Sequence, residues 1–290
     1  MSDLAAQRIS SYRAETYRLT RRVTTPEEAI AFVNERGFTF FWPIKNVTLP
    51  SLWVAVAGDR PVPNEHDDPG MVTWGWKDSL LGERRWYYAK VLRKRATFIA
   101  LEMAPYFYAL SANYGSPEED YLDQYRRGEL TQAAKTIYET LLREGPLHTI
   151  ALRKATFMGG KKSAYRFERA LAELQADFKI LPVGVARAGA WHYAFTYDCV
   201  HRHYPDLPER ARPIGIAEAR RTIMTAYFRS VGAAQVRDVL KVCGWPPDDV
   251  ERTLAQLAAA CLVIRGLELA GQRREWIALP ELCLEQKAPG

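Results

Sequence analysis

The chain has 290 residues, 48% of them hydrophobic, 12% aromatic and 26% charged, which is a globular composition and the length of two or three compact units. No apolar run approaches the roughly 18 residues of a membrane-spanning helix, and the N-terminal segment lacks the apolar core of a secretory signal. The net charge of +6 is compatible with a nucleic-acid partner, and four cysteines without C-x-x-C spacing are typical of reduced thiols in a cytoplasmic protein.

The first well-marked element is a helix with signals at both ends. Thr25 is placed as its N-cap, Pro26 lies in the first turn, and Glu28 three residues on completes a capping box. Gly37 ends the helix as a left-handed C-cap residue. Four aromatic residues then crowd into the five positions Phe38–Trp42, in a pattern that fits a buried strand or the wall of a pocket.

The middle of the chain contains a loop and a predicted helical region. Gly58–Gly70 is rich in proline and turn formers, which indicates a loop. Trp74 and Trp76 either line a pocket or anchor a helical insert. Apolar spacing predicts a long helix over Glu83–Leu110, kinked or ended by its proline.

The second half of the chain repeats one order of elements. Leu130–Tyr204 and Glu218–Leu279 each predict a helix, a turn, a second helix, a turn, a third helix and two strands. This is the order of a winged helix, a small DNA-binding module, although two unrelated helix–hairpin units would show the same order. The third helices are Ser163–Asp177 and Asp248–Cys261.

The third helix of such a module presents its outer side to the major groove of DNA. In Ser163–Asp177 the apolar residues share one side, and the opposite side is basic. Phosphate contacts from such a cluster give affinity without sequence choice, whereas the alternative is a solvated charged face. The candidate DNA-binding residues are Lys90, Arg93, Lys94, Arg153, Lys154, Lys161, Lys162, Tyr165, Arg166 and Arg169.

The module at Glu218–Leu279 carries a weaker signal for DNA. Its third helix has Asp249, Glu251 and Arg252 on the outer side, so we expect a structural role or contacts through its hairpin. The hairpin residues considered are Arg265, Arg273 and Arg274. A further basic patch lies near the N-terminus at Arg8, Arg13, Arg18, Arg21 and Arg22.

Three stretches, "RGFTFFWPIKNVTLPSLWV", "TWGWKDSLL" and "EGPLHTIALRK…KKSAYRFERALAELQADFKILPVG", resemble the AlkZ/YcaQ-type bacterial DNA glycosylases. The resemblance covers roughly Thr25 to Leu279. It implies tandem winged helices, a first one within residues 1 to about 58, and excision of alkylated or crosslinked bases.

The family's chemistry resides in a Gln-x-Gln or Gln-x-Asp motif shortly after a glycine. Breaking an N-glycosidic bond builds positive charge on the sugar, and a polar side chain must position water and stabilise that charge. Counted from Gly37, the two motif positions fall on Phe40 and Trp42, which cannot do this. Three interpretations stay open: a plugged pocket in a DNA-binding protein, a changed pocket that stacks on a base, or simple core filling.

Two other groups are candidates for chemistry. Glu65, Asp67 and Asp68 surround His66 in the predicted loop and could supply a replacement general base, or serve solubility alone. Cys199-x-His201-x-His203, if on a strand, would share one face and resemble part of a zinc site, but the sequence places no fourth ligand.

The sequence therefore predicts a mainly α protein with small β-hairpins, an α+β chain of tandem winged helices with a helical insert. The predicted domains are 1–60, 61–128, 129–205 and 206–285. The first hypothesis is a DNA-binding protein, most simply for duplex DNA, without cofactor, metal or membrane partner and without the family's catalytic motif. The alternative is an active glycosylase that uses other acids, and a third is a protein-interaction module.

Overall fold

The computed structural model describes residues 3–63, 67–190, 192–269 and 272–283. The chain divides into two compact units, one formed by residues 1–73 with 220–290 and the other by residues 74–219. Both units combine helices with small sheets, so the predicted α+β class is confirmed.

The helices are α1 (Ala6–Thr16), α2 (Pro26–Arg36), α3 (Leu52–Ala57), α4 (Val72–Leu80), α5 (Ala104–Tyr108), α6 (Asp120–Arg126), α7 (Gln132–Glu144), α8 (Thr149–Ala155), α9 (Ala164–Ala176), α10 (Val200–His203), α11 (Leu207–Ala211), α12 (Ile216–Val231), α13 (Val236–Cys243), α14 (Pro247–Ala259) and α15 (Pro280–Cys283). The strands are β1 (Asp3–Leu4), β2 (Phe38–Phe40), β3 (Tyr87–Ala89), β4 (Thr97–Ile99), β5 (Leu147–His148), β6 (Ile180–Ala186), β7 (Ala194–Cys199), β8 (Ala233–Ala234), β9 (Ile264–Leu269) and β10 (Gln272–Ala278). Short 3-10 turns occupy Pro69–Met71, Leu92–Lys94 and Lys161–Ser163.

The central module, defined here as α7 to β7, has a helix, a strand, two helices and a hairpin in that order. Its three strands pair antiparallel in the order β5-β7-β6. Thr131 caps α7 by accepting a hydrogen bond from the Ala134 amide, and Gly145 ends the helix with a φ of 83°. The apolar sides of α7 and α9 form the core, in which Phe167, Leu171 and Leu174 are buried as predicted.

The C-terminal module, defined as α12 to β10, has the same order of elements. Its strands pair in the corresponding order, β9-β10-β8, and β1 adds to the free edge of β9 in parallel. Val250, Leu254 and Leu257 of α14 are fully buried, at positions that match the core side of α9. The two predicted helix–hairpin units are therefore present as sets of elements with equivalent strand pairing.

The predicted signals around α2 are largely confirmed. The Thr25 hydroxyl accepts a hydrogen bond from the Glu28 amide at 3.2 Å, and Gly37 adopts a φ of 78°. The Glu28 carboxylate also accepts hydrogen bonds from the amide and the hydroxyl of Thr24, the residue before the N-cap.

Two sequence predictions about local structure are wrong. The long helix expected over Glu83–Leu110 is replaced by the antiparallel hairpin β3–β4, a 3-10 turn and only the short helix α5. The two strands around Tyr87 and Phe98 consist mostly of aromatic and β-branched residues, which favour strand. Every residue of both strands is buried, whereas an amphipathic helix would bury only one side. Cys199 ends β7, whereas His201 and His203 lie on α10, so the three residues do not share a strand face.

Leu174→Ala should lower the free energy of unfolding of the unit that contains the central module by about 3 kcal/mol, because it leaves a cavity among residues that cannot fully collapse. Tyr165 lies nine residues earlier on the opposite side of the same helix and is exposed, so Tyr165→Ala should change stability by less than about 0.5 kcal/mol. Urea-induced unfolding followed by circular dichroism measures both. Equal effects of the two substitutions would contradict the packing described here.

Candidate nucleic-acid interface

The end of α8, the turn before α9 and the outer side of α9 carry a cluster of exposed cations, called here the basic face. Its members are Lys154, Lys161, Lys162, Arg166 and Arg169. Among the described residues, none of these five side chains forms an ion pair or hydrogen bond with another part of the chain. Tyr165 lies among them with 78% of its surface exposed. The face is therefore a concentration of positive charge that the protein does not neutralise itself.

The acidic residues near the basic face have other partners. The Glu168 carboxylate binds the Arg153 guanidinium at 2.8 Å, and that guanidinium also lies over the ring of Phe167 at 4.6 Å. Glu173 accepts hydrogen bonds from the amide and the hydroxyl of Thr131 at the start of α7. Arg153, predicted to bind DNA, thus has an internal role, and the acids do not cancel the charge of the basic face.

The basic run at Lys90, Arg93 and Lys94 belongs to the same unit as the basic face. The 3-10 turn that carries it packs against α9, and the Lys90 amide donates a hydrogen bond to the buried Gln175 side chain at 3.1 Å. Arg93 and Lys94 are exposed and have left-handed φ values of 55° and 56°. The structure therefore packs the segment that carries this second basic run against α9, the helix that carries Arg166 and Arg169.

The corresponding helix of the C-terminal module has its charges paired. Asp249 of α14 binds Arg220 at 2.7 Å and Arg252 at 2.6 Å, and Glu251 binds Arg265 of β9 at 3.0 Å. The side chains of Arg273 and Arg274 lie outside the described residues. The two modules share an order of elements, but only the central one presents unpaired cations on its third helix within the described part of the chain.

The aromatic stretch after Gly37 divides between core and surface. Phe40 is 1% exposed and lies in β2, and Phe41 is also buried. Trp42 is 36% exposed and its ring stacks on Phe41 with centroids 5.1 Å apart. A neighbouring cleft of about 900 Å³ is lined by residues 43–49 and 59–62 and by α1, and neither Phe40 nor Trp42 is among its lining residues.

Trp74 belongs to a buried cluster on α4 and the β6–β7 hairpin, and Trp76 is half-buried on the same helix. At its centre the Lys77 side chain is 1% exposed, and its Nζ lies 2.6 Å from Asp78 Oδ1 and 3.1 Å from the Tyr193 hydroxyl. The Nζ is also 4.4 Å from the ring centroids of both Trp74 and Phe195. Burial lowers the pKa of Lys77, and the Asp78 carboxylate opposes that shift.

In the loop with the acidic residues Glu65, Asp67 and Asp68, the structure describes two carboxylates, one exposed and one bound by an arginine. Glu65 and His66 lie outside the described residues, and Asp67 is exposed. Both oxygens of Asp68 accept hydrogen bonds from the Arg60 guanidinium, at 2.6 and 2.9 Å. Those bonds lower the pKa of Asp68, so its carboxylate is a weak base.

The proposed zinc ligands do not assemble. Burial raises the pKa of Cys199 to about 12, which keeps its thiol protonated. Within the described residues, no group of His, Cys, Asp and Glu side chains is arranged to hold a metal ion.

The helices in the described part of the chain are too short or too polar to cross a bilayer.

Comparison with known proteins adds a family to this geometry. The model of a family described as AlkZ related matches residues 23–244, which is most of the chain. The chain belongs to the AlkZ-related family.

One solved structure similar to this AlkZ-related chain is the DNA glycosylase AlkZ of Streptomyces sahachiroi. The TM-score is 0.58 and the sequence identity 14%, over 96% of this chain and 71% of that chain. At this identity the similarity is one of fold. No curated protein matches the chain.

Sequence reasoning missed two features of the AlkZ-related chain. The Lys77 cluster joins residues more than a hundred positions apart, so no local pattern announces it. Phe157 is 94% exposed in the turn after α8, and the only local signal was the Gly- and Lys-rich segment that begins one residue later.

Asp78→Asn should destabilise the unit that contains Lys77 by about 3 kcal/mol at pH 7, because it leaves a buried ammonium without its carboxylate. Burial lowers the folded-state pKa of Lys77 below the unfolded value of about 10.4, so stability rises with pH between those two values. Removing Asp78 lowers the folded-state pKa further and widens that window. The deficit of the variant should therefore shrink as the pH rises from 7 to about 10.

Thermal unfolding of wild type and variant at several pH values measures this deficit. Asp123→Asn, in the exposed pair with Arg126, is the control and should cost less than about 0.5 kcal/mol at every pH. A deficit of Asp78→Asn that is constant from pH 7 to 10 would show that Lys77 is not its cause.

Proposed function

We propose that this AlkZ-related protein binds duplex DNA through the basic face of its central module, in a role related to DNA repair. We also propose that the predicted domains 129–205 and 206–285 are winged helices, that 1–60 contains a third, and that 61–128 connects them. The shared order of elements and the equivalent strand pairing of the central and C-terminal modules support the winged-helix assignment.

The observation that carries the proposal is the set of five exposed, internally unpaired cations on and before α9, within the described residues. Such charge is costly to concentrate unless a polyanion binds there, and phosphates of a DNA backbone are the natural partner. The third helix of a winged helix is also the element that enters the major groove. The similar solved structure is that of a DNA glycosylase, which supports the choice of DNA over other polyanions.

We further propose that the protein does not release bases by the family's Gln-x-Gln chemistry. At the two motif positions counted from Gly37, Phe40 is buried in the core and Trp42 stacks on Phe41, and neither can orient water or stabilise positive charge on the sugar. Of the acids considered as replacements, Asp68 is engaged by Arg60. The alternative of an active glycosylase would then depend on Asp67 or Glu65.

The double substitution Arg166→Ala and Arg169→Ala should weaken duplex binding about equally across DNA sequences, because phosphate contacts carry little sequence information. The slope of log K against log salt should fall by about 2, close to 0.9 for each lost contact. Fluorescence anisotropy with labelled duplexes over a salt series measures both quantities.

The matched control is the pair Arg126→Ala and Arg127→Ala on α6. These arginines are also exposed in the same unit, but they bind Asp123 and Glu129, so the control removes the same charge without removing unpaired cations. It should leave the salt slope unchanged. Equal slopes for the two double variants would place the DNA contacts elsewhere.

The purified protein should release no base from alkylated duplex DNA above the buffer background, because Phe40 and Trp42, at the motif positions counted from Gly37, cannot orient water. Mass spectrometry of released bases measures this, with the Streptomyces glycosylase AlkZ as the active reference. Turnover that Asp67→Asn abolishes would overturn the non-catalytic proposal and establish the alternative.

A further inference from the structure

Phe157 occupies a backbone position that usually belongs to glycine. Its amide donates to the Lys154 carbonyl at 3.1 Å and the Met158 amide donates to the Arg153 carbonyl at 2.8 Å, the paired bonds that close a helix with a left-handed residue. Phe157 has a φ of 54°, a conformation that is unfavourable for a residue with a side chain. Gly37, Gly145 and Gly244 end α2, α7 and α13 with positive φ.

Phe178 has the same strained backbone but buries its ring. It ends α9 with the same pair of bonds and the same φ of 54°, but its ring is buried and stacks on Tyr87 with centroids 4.5 Å apart. Burial of an aromatic ring offsets the strained backbone there. The ring of Phe157 is 94% exposed, so the folded chain gains no such compensation from it.

The surroundings of Phe157 fit a nucleic-acid ligand. Lys154 lies three residues before it, and Lys161 and Lys162 follow the turn, all exposed members of the basic face. Gly159 and Gly160 between them are exposed, and a side chain added at Gly159 would meet no atom within 4 Å, so the backbone is open to a close partner. An apolar ring within a rim of cations matches stacked bases flanked by phosphates.

We propose that Phe157 is a wedge that inserts between stacked base pairs of duplex DNA while the basic face holds the flanking phosphates. The proposal rests on the proposed function and adds to it a distortion of the duplex. Apolar wedges of this kind partly unstack a base step and kink the helix. In the complex, stacking of the Phe157 ring on a base offsets the backbone strain at this residue, as burial in the core does for Phe178.

The test uses the full chain and short duplexes that each carry 2-aminopurine at one interior position. Unstacking raises the fluorescence of this base, so wild-type protein should produce a rise on binding. Phe157→Ala should lose the rise while its affinity falls by about tenfold, the loss expected for one stacking contact. Phe157→Trp should restore the rise, and Ile150→Ala, at another exposed apolar residue of the module, should keep it.

Phe157→Gly separates the wedge from any effect on folding. It removes the ring and relieves the left-handed strain, so it should raise the midpoint of thermal unfolding and still abolish the fluorescence rise. A structural role for the ring would instead lower the midpoint.

Failure of the wedge and failure of the proposed function give different results. Tight, salt-dependent binding without a fluorescence rise, or a rise that Phe157→Ala retains, overturns the wedge and leaves DNA binding in place. No duplex binding at low salt overturns both. Self-association that Phe157→Ala abolishes, with unchanged DNA fluorescence, would assign the ring to a contact between copies of the chain and also overturn the wedge.

Discussion

Phe167, Leu171 and Leu174 are buried in the core of the central module, and this packing fixes which side of α9 faces outward. Residues three and four positions apart share one side of a helix, so Lys162, Arg166 and Arg169 are left on the other. The same packing positions the Gln175 side chain to accept a hydrogen bond from the Lys90 amide. This bond holds the segment with Lys90, Arg93 and Lys94 against α9. The position of the positive surface on α9 thus follows from the packing of the opposite side of the helix in the core.

Charge pairing separates the two modules more clearly than their architecture does. In the C-terminal module, Asp249 and Glu251 on the third helix bind arginines of α12, α14 and β9. In the central module, the acids of α9 bind Arg153 and the start of α7. One helix is therefore neutralised by its own surroundings and the other is not. Similar element order gives no information about this difference, because exposed ion pairs depend on individual side chains rather than on the core.

The sequence predicted the elements that carry strong local signals and failed where tertiary context decides. Thr25, Gly37 and the apolar side of α9 define their helices through capping and periodicity, which act over a few residues. Apolar spacing predicted a helix in place of the β3–β4 hairpin, because two short strands that are buried on every residue have no polar face to reveal their period. The Lys77 cluster could not be predicted at all, since its partners come from separate parts of the chain.

The cluster of cations around α9 was predicted from helical spacing, but the sequence did not reveal which of them pair with acids. Arg153 and Arg169 are the same residue type in the same patch, yet only Arg153 binds an acid and covers an aromatic ring. Core packing also decides which side chain the position of Phe40 can hold. Phe40 contributes to the core, so a glutamine there would bury an amide that needs hydrogen-bond partners and would lower stability. The aromatic residues after Gly37 are thus divided by packing, which buries Phe40 and Phe41 and leaves Trp42 partly exposed.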